Sequence, residues 1–282
     1  MKLSFMAALL LGGICFGQNN TDTSLYMKAD KISYLTDIGS ESGDLYSVIG
    51  HHGPAVENEW MALRIYFSDK VAIDVYNKAK AGLELKGAHW YPTATQQKEG
   101  WGADYYKVAS TVGLGGVKLW DGEKLVSLNP VTNRLARVGK TETTSWMEMI
   151  SKGVPYKGKK VDIKVRVTVF SGKREAKVEA FSLNGEKVQF ATGVNYFKGF
   201  ETKKGENYIA VWGTHPEDVA AEVVGIGAAI KYNPKNYVKN TDDGTQYLLI
   251  SKPTKYLATE IASASAREKE INTLDKLEAY IK

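Results

Sequence analysis

Cysteine is nearly missing from this chain: one residue, Cys15, in 282, placed inside an apolar N-terminal stretch. A disulfide within the chain is therefore excluded, and so is a cysteine-built metal site. Histidine is almost as scarce. His51, His52, His89 and His215 are the four, and none has a ligand spacing of the HExxH kind. Neither a metal nor a cofactor is expected. Proline numbers only 7. There is no GxSxG, no P-loop and no GxGxxG in a βαβ setting, so nucleotide-binding and serine-hydrolase readings lack support. No Lys/Arg run resembles a nucleic-acid stripe, and no nucleic-acid partner is expected. Beyond the N-terminus no apolar run is long enough to cross a membrane.

What is present begins with a leader. Lys2 precedes an apolar run that is unbroken from Phe5 to Leu11, and a glycine-rich stretch follows as far as Gly17. This is the layout of a signal peptide over residues 1–17, cleaved after Gly17, and it predicts a periplasmic or secreted protein. A lipid anchor at Cys15 is the competing reading, weakened because Ile14 stands where a small residue belongs. Residues 18–30 read as a flexible lead-in and 31–282 as one domain. The net charge of +5 falls by one when Lys2 is removed. So slight a surplus suits an acidic ligand but is also ordinary surface charge.

Glycine is frequent (27) and punctuates short runs that alternate apolar and polar residues. The clearest is Val161–Val169. Its Val161, Ile163, Val165, Val167 and Val169 share one face, while Asp162, Lys164, Arg166 and Thr168 share the other. Strict period two means a strand with one buried and one wet face. A turn at Ser171-Gly172-Lys173 returns the chain as a strand over 176–181. Asp121-Gly122 marks a second hairpin between 116–120 and 124–128. Further strands are predicted over 188–191, 208–214, 222–230 and 247–251. Strands joined by turns rather than helices predict an all-β fold, a large antiparallel β-sandwich. After Pro253 the chain turns rich in Ala, Glu and Lys. Ile271, Leu274, Leu277 and Ile281 recur at helical spacing, which predicts a C-terminal amphipathic helix on the sandwich.

The stretch from Gly50 to Phe67 carries the candidate chemistry. Met61, Leu63, Ile65 and Phe67 form a core face, continued by Ile73 and Val75 after a turn. The opposite face holds Trp60, Ala62, Arg64 and Tyr66, joined by Asp74 and Tyr76. Aromatic planes cover the apolar faces of a sugar ring, and charged groups bind its hydroxyls or carboxylate. Arginine grips a carboxylate with two parallel hydrogen bonds. A second packed layer, with Arg64 and Asp74 paired, explains the same pattern equally well. His51 and His52 precede this strand in a Gly/Pro loop, and His52 is favoured as a proton acceptor. His89, Trp90 and Tyr105 lie in a strongly aromatic loop over 87–106. Lys118 sits beside Trp120, and His215 ends an apolar strand.

Two blocks resemble a known family. One is His51-His52-Gly53-Pro54-Ala55-Val56-Glu57-Asn58-Glu59-Trp60 with Arg64-Ile65-Tyr66. The other is Gly102 to Val108 with Gly115-Gly116 and Leu119-Trp120-Asp121-Gly122. They resemble a family first defined as a domain of unknown function, frequent in the polysaccharide-utilisation gene clusters of Bacteroidetes. Some of its members look like the ulvan oligosaccharide dehydratase. The resemblance spans nearly the whole mature chain. It implies a sandwich of the galactose-mutarotase supersandwich kind, and work on acidic polysaccharides. The reaction implied removes water from a terminal uronic acid and leaves a 4,5-unsaturated sugar. Such a β-elimination needs a cation for the charge building on the carboxylate. Arg64 fits that need, with Lys118 as a possible helper. It also needs a base, His52 or a tyrosinate, and an acid for the leaving oxygen, Tyr66 or Tyr76. His51, Trp60, Asp74, Tyr76, His89, Trp90, Tyr105 and His215 are the expected substrate contacts. A polysaccharide lyase, a non-catalytic glycan-binding module and a mutarotase-like epimerase are the alternatives.

Overall fold

The period-two stretches become long strands. The valine-rich run is the centre of a strand over Lys159–Phe170, paired on one side with Thr144–Tyr156 and on the other with Ala176–Ser182. In a computed structural model the chain is described at residues 19–216, 220 and 222–282. The leader, its cleavage point and Cys15 lie outside the described residues.

These strands belong to an antiparallel sheet of nine. Its order is Glu201–Lys204, Tyr208–Thr214, Gly225–Lys231, Tyr256–Ser265, Ala176–Ser182, Lys159–Phe170, Thr144–Tyr156, Asn133–Lys140 and Asp37–Ser40. A second layer covers one face of it. Half of that layer is a four-stranded sheet ordered Asp22–Ser24, Ala55–Glu57, Met61–Ile65 and Ile73–Asn77. The other half is a five-stranded sheet ordered Tyr237–Asp242, Gln246–Ser251, Phe190–Asn195, Lys118–Trp120 and Leu125–Val126. The core lies between the layers, where Val56, Leu63, Ile65 and Val75 meet Met147, Val165, Val167 and Val178. Each such side chain contributes about 1.5–3 kcal/mol when fully buried.

Residues 112–116 stitch the two halves of the second layer together. The Ile73 N–H donates to Val112 O, the Leu114 N–H to Ile73 O and the Gly115 N–H to Gly193 O. This approach needs glycine: at Gly113 φ is +72°, and a Cβ there would stand 1.9 Å from the Ile73 carbonyl oxygen.

The C-terminal helix forms over Leu274–Ile281. It buries Leu274, Leu277 and Ile281 against Ala210, Ala229, Ala262 and Ala264 on the outer face of the long sheet. Small residues let the helix settle close. A Cβ at Gly227 would fall 2.6 Å from Leu277 Cδ2.

Three expectations need correction. Residues 18–30 are no flexible lead-in where they are described. Asp22–Ser24 pairs with Ala55–Glu57, and Leu25 is wholly buried, because its side chain joins the core. The helical composition after Pro253 conceals a ten-residue strand, Tyr256–Ser265, which the long sheet captures on both edges. Tertiary pairing overrides the weak strand propensity of Ala, Ser and Glu. The aromatic segment 87–106 is not all loop, since it holds part of a short helix over Leu85–Ala88 and another over Ala94–Lys98.

Candidate active site

Register places Arg64 directly opposite Asp74 on adjacent strands, with their side chains on the same face. That face is not wet. Every residue of Met61–Ile65 and of Ile73–Asn77 is buried, because Leu85, Ala88 and Trp90 cover Ala62 and Tyr76. The covering segment is anchored by a buried ion pair, Lys78 Nζ to Glu57 Oε2 at 2.6 Å. The Glu57 carboxylate also accepts from the N–H groups of Glu84 and Leu85 at the start of the helix Leu85–Ala88.

Towards the end of this strand pair the cover opens into a cavity of about 390 Å³. Its wall includes Tyr46, His52, Arg64, Tyr66, Asp74 and Tyr91, with Lys70, Asp104, Tyr106 and Lys107 around them. Arg64 organises the floor. Its Nε donates to Asp74 Oδ2 at 2.9 Å, and its Nη2 donates to the same oxygen at 2.5 Å. Nη2 also reaches Asp104 Oδ2 at 3.1 Å and Tyr66 OH at 3.1 Å, while Nη1 donates to Tyr91 OH at 3.0 Å. Trp90 lies against the guanidinium, 4.2 Å from ring centre to Cζ. Burial opposes the Arg64 charge, but Asp74 and then Asp104 outweigh it and hold the group above its ordinary range. Arg64 is thus already engaged by two carboxylates. It is a positive centre that orients two phenols.

The phenols differ. Tyr66 OH donates a hydrogen bond to Asp74 Oδ2 at 2.6 Å. Burial, followed by the Asp74 charge, pushes its pKa far up. Tyr91 OH accepts from Arg64. Burial raises its pKa too, although the guanidinium pulls the other way. Neither is a tyrosinate near neutral pH.

His52 stands above this floor. It ends a helical turn over Gly50–His52, and the Phe67 N–H binds its carbonyl at 2.9 Å. Its ring stacks on Tyr46 with centroids 3.9 Å apart. His52 Nδ1 lies 2.8 Å from the Tyr46 carbonyl oxygen. A carbonyl only accepts, so Nδ1 carries the proton and Nε2 keeps its lone pair. Burial lowers the pKa of His52. The Tyr46 contact opposes this, while the nearby Arg64 and Lys28 charges add to it. The imidazole is therefore neutral at neutral pH and able to accept a proton.

Beside this cavity lies a larger one of about 790 Å³, bordered by Tyr26, Lys28, Lys31, His51, His89, Tyr91 and Gln96 among others. Tyr91 belongs to both walls. Backbone strain concentrates here. Among the described residues, seven non-glycine residues have positive φ. His51, His89 and Ala109 of these line a cavity, as does His52, and Trp90 sits directly behind Arg64. Each costs on the order of 1 kcal/mol, which is the pattern of a functional site held by its surroundings. Trp90 Nε1 and His89 Nε2 are also buried without a hydrogen-bond partner.

The remaining sequence candidates are scattered. Tyr76 OH donates to Glu84 Oε2 at 2.7 Å and serves the cover. Trp60 falls outside the strand, because Asn58 Oδ1 binds the N–H groups of Trp60 and Met61 and turns the chain. Its ring packs on Arg174. Tyr105 OH accepts from Arg267 at 2.9 Å. His215 Nδ1 accepts from the Lys107 N–H at 3.0 Å behind Tyr106, and burial holds its pKa down at about 3. Lys118 lines neither cavity, and its Nζ points to the Ser110 carbonyl. His51 Nε2 is 2.7 Å from Ser24 Oγ, which ties its ring to the N-terminal strand. Tyr46, Lys70, Tyr91, Asp104, Tyr106 and Lys107 were not singled out from the sequence. For Tyr91, Asp104, Tyr106 and Lys107 the signal was membership of the aromatic or family-like blocks. Tyr46 and Lys70 carried none. Among the described residues no group of three or more His, Cys, Asp or Glu side chains is placed to hold a metal ion. Nor is any helix there long and apolar enough to cross a membrane, which says nothing of a strand-built span.

The sequence family described as "Domain of unknown function (DUF4861)" matches residues 16–282, and the chain belongs to it. No curated protein matches the chain. Among the solved structures that overlap it are three loose matches. A Klebsiella pneumoniae subsp. pneumoniae MGH 78578 protein assigned as an aldose 1-epimerase shares 9% identity over 92% of this chain and 94% of its own, with a TM-score of 0.39. A 4-alpha-glucanotransferase from Thermococcus litoralis shares 13% over 76% of this chain, with a TM-score of 0.38. A protein from the human microbiome assigned as a kojibiose phosphorylase shares 10% over 93%, with a TM-score of 0.37. The chain spans only 40% and 36% of the last two. Overlaps at this level carry no inference about activity.

Proposed function

We propose that this member of the DUF4861 family is a carbohydrate dehydratase. In this reading it eliminates water from the non-reducing-end uronic acid of ulvan-type oligosaccharides and leaves a 4,5-unsaturated uronyl end. One observation carries the reading. An imidazole whose tautomer leaves Nε2 as acceptor shares a cavity with a phenol hydroxyl that accepts from a buried guanidinium. This supplies a base and an acid within one cavity of about 390 Å³.

The step is as follows. His52 Nε2 takes the proton at C5, next to the carboxylate. The released electron pair forms the C4–C5 double bond as the C4–O4 bond breaks. Tyr91 OH gives its proton to O4, which departs as water. The proton on His52 then returns to Tyr91, and the site is restored. Charge builds on the substrate carboxylate as the C5 proton leaves. Arg64 in the floor and the Lys70 and Lys107 side chains in the wall favour that charge. Lys118 takes no part.

The test follows the conjugated enoate by ultraviolet absorbance on uronic-acid oligosaccharides with saturated ends, with product mass measured alongside. Rising absorbance with loss of one water and an intact chain supports the proposal. Rising absorbance with shorter fragments assigns a polysaccharide lyase instead. No absorbance change across several uronates sinks elimination altogether.

A further inference from the structure

The larger cavity is not needed for elimination at one sugar. Its outer wall is a two-stranded hairpin, Tyr26–Met27 with Asp30–Tyr34. All five residues of the second strand are exposed, and Ile32 is 88% exposed. Two strands without a core of their own are marginal. This pair is held at its base, where Lys28 N–H donates to Val48 O and Leu35 N–H donates to Leu25 O. Tyr26 lies across Gly50, where a Cβ would fall 2.1 Å from the ring, and its ring meets those of His51 and His89 edge-on. The hairpin thus spends its order on carrying Tyr26, Lys28 and Lys31 to the cavity rim.

The lining charges are one-sided. Lys28 and Lys31 border this cavity and no carboxylate does. Two acids in or next to the hairpin in sequence are committed elsewhere. Asp22 is bridged by Lys86 and Lys140, and Asp30 accepts from the Ile32 and Ser33 N–H groups in its own turn. Among the described residues neither lysine has an ion-pair partner. Tyr26 and Tyr91 add aromatic surface, and Thr93 and Gln96 add neutral hydrogen-bonding groups. The two cavities also touch. Tyr91 is common to both, and Lys28 Nζ lies 3.4 Å from His52 Nδ1.

We propose that the larger cavity is a second subsite, which binds the sugar next to the reacting one through an anionic substituent, a sulfate or a carboxylate, held by Lys28 and Lys31. This rests on the reading of the smaller cavity as the reacting site, and makes a charged disaccharide the smallest good ligand. Exposed ammonium groups act here as point charges, each worth up to about fivefold in affinity and sensitive to salt.

The experiment is calorimetric titration of the full-length His52→Gln chain at low and high salt. The probes are a uronic monosaccharide and three disaccharides with that uronic acid at the non-reducing end. The second sugar carries a sulfate, a carboxylate or hydroxyls only. The subsite predicts that one or both anionic disaccharides bind ~5–25-fold more tightly than the neutral one at low salt. Which of them leads identifies the substituent. Lys31→Ala is expected to cut that preference about fivefold and Lys31→Glu to erase it, with monosaccharide affinity unchanged. Lys31 is exposed, so neither change threatens the fold. Equal affinity for neutral and anionic disaccharides overturns the proposal, as does a preference that survives Lys31→Glu. A negative enoate assay with the charge preference intact removes the reaction and keeps the subsite; enoate formation without the preference does the reverse.

Discussion

Replacing Arg64 tests the floor of the site most directly. Its side chain is 3% exposed, that of Asp74 1% and that of Asp104 5%. Arg64→Met keeps much of the volume and the contact with Trp90, but leaves two carboxylates buried without their cation. Breaking a buried pair from one side costs about 3–5 kcal/mol. In a domain of this size that lowers the melting temperature by roughly 5–10 °C. Asp74→Asn is expected to fall in the same range, since it removes the negative charge that both Nε and Nη2 face. Because the two changes remove a shared interaction, the double variant should lose less than the sum of the singles, by at least about 1 kcal/mol. Urea denaturation of the four proteins measures all of these quantities. An Arg64→Met variant within about 1 kcal/mol of the parent would refute the argument, as would strict additivity. Turnover is expected to fall in Arg64→Met, because Tyr66 and Tyr91 lose their common anchor.

Other expectations follow from the same geometry. His52→Gln should fold normally and lose on the order of 10²–10⁴-fold in kcat. In the parent, kcat/KM should fall only as pH drops through a value below the ordinary 6.5 of histidine, because burial and the Arg64 and Lys28 charges keep the imidazole neutral. An acid limb at or above 6.5 would remove His52 as base. His215 bears on stability instead. Its folded value of about 3 lies below the unfolded 6.5. Its contribution is therefore fully present above pH 6.5 and lost as pH falls towards 3, so His215→Gln should flatten stability over that window in acid titrations followed by circular dichroism. Leu277→Ala should cost about 2–5 kcal/mol by opening a void under the C-terminal helix. Amide exchange should then show that helix protected least; unchanged protection would contradict the packing described.

The legible parts of the fold were those with one clean alternation. Val161–Val169 and Tyr208–Thr214 announce themselves because one face is purely aliphatic or the run is bounded by turns. Thr144–Tyr156 was missed because Ser145, Glu148 and Ser151 fall among the residues it buries. Tyr256–Ser265 was missed because alanine and serine suit either structure. For the site, alternation placed Arg64, Tyr66 and Asp74 on one face, and the Gly/Pro loop brought His52 beside them. Alternation fixes a face but not what covers it. Tyr76 therefore went under the helical cover, while Lys118 and His215 went to other parts of the sandwich. Tyr91 reaches Arg64 only because the backbone of His89 and Trp90 adopts positive φ, which nothing short of the folded chain imposes.

The glycine-built stitch at 112–116 has a consequence for ancestry. The sheet that carries Arg64 and Asp74 is joined to the strand Phe190–Asn195 through residues 112–116, by two backbone bonds to Ile73 and one to Gly193. A gene segment ending before residue 112 would encode the proposed reacting groups but not the frame that holds them. Duplication or exchange of that segment alone would leave an unpaired edge and an open core. New specificities in this family are therefore expected to arise in the hairpin at residues 26–34 and the cover at residues 78–106, and not by shuffling half-domains.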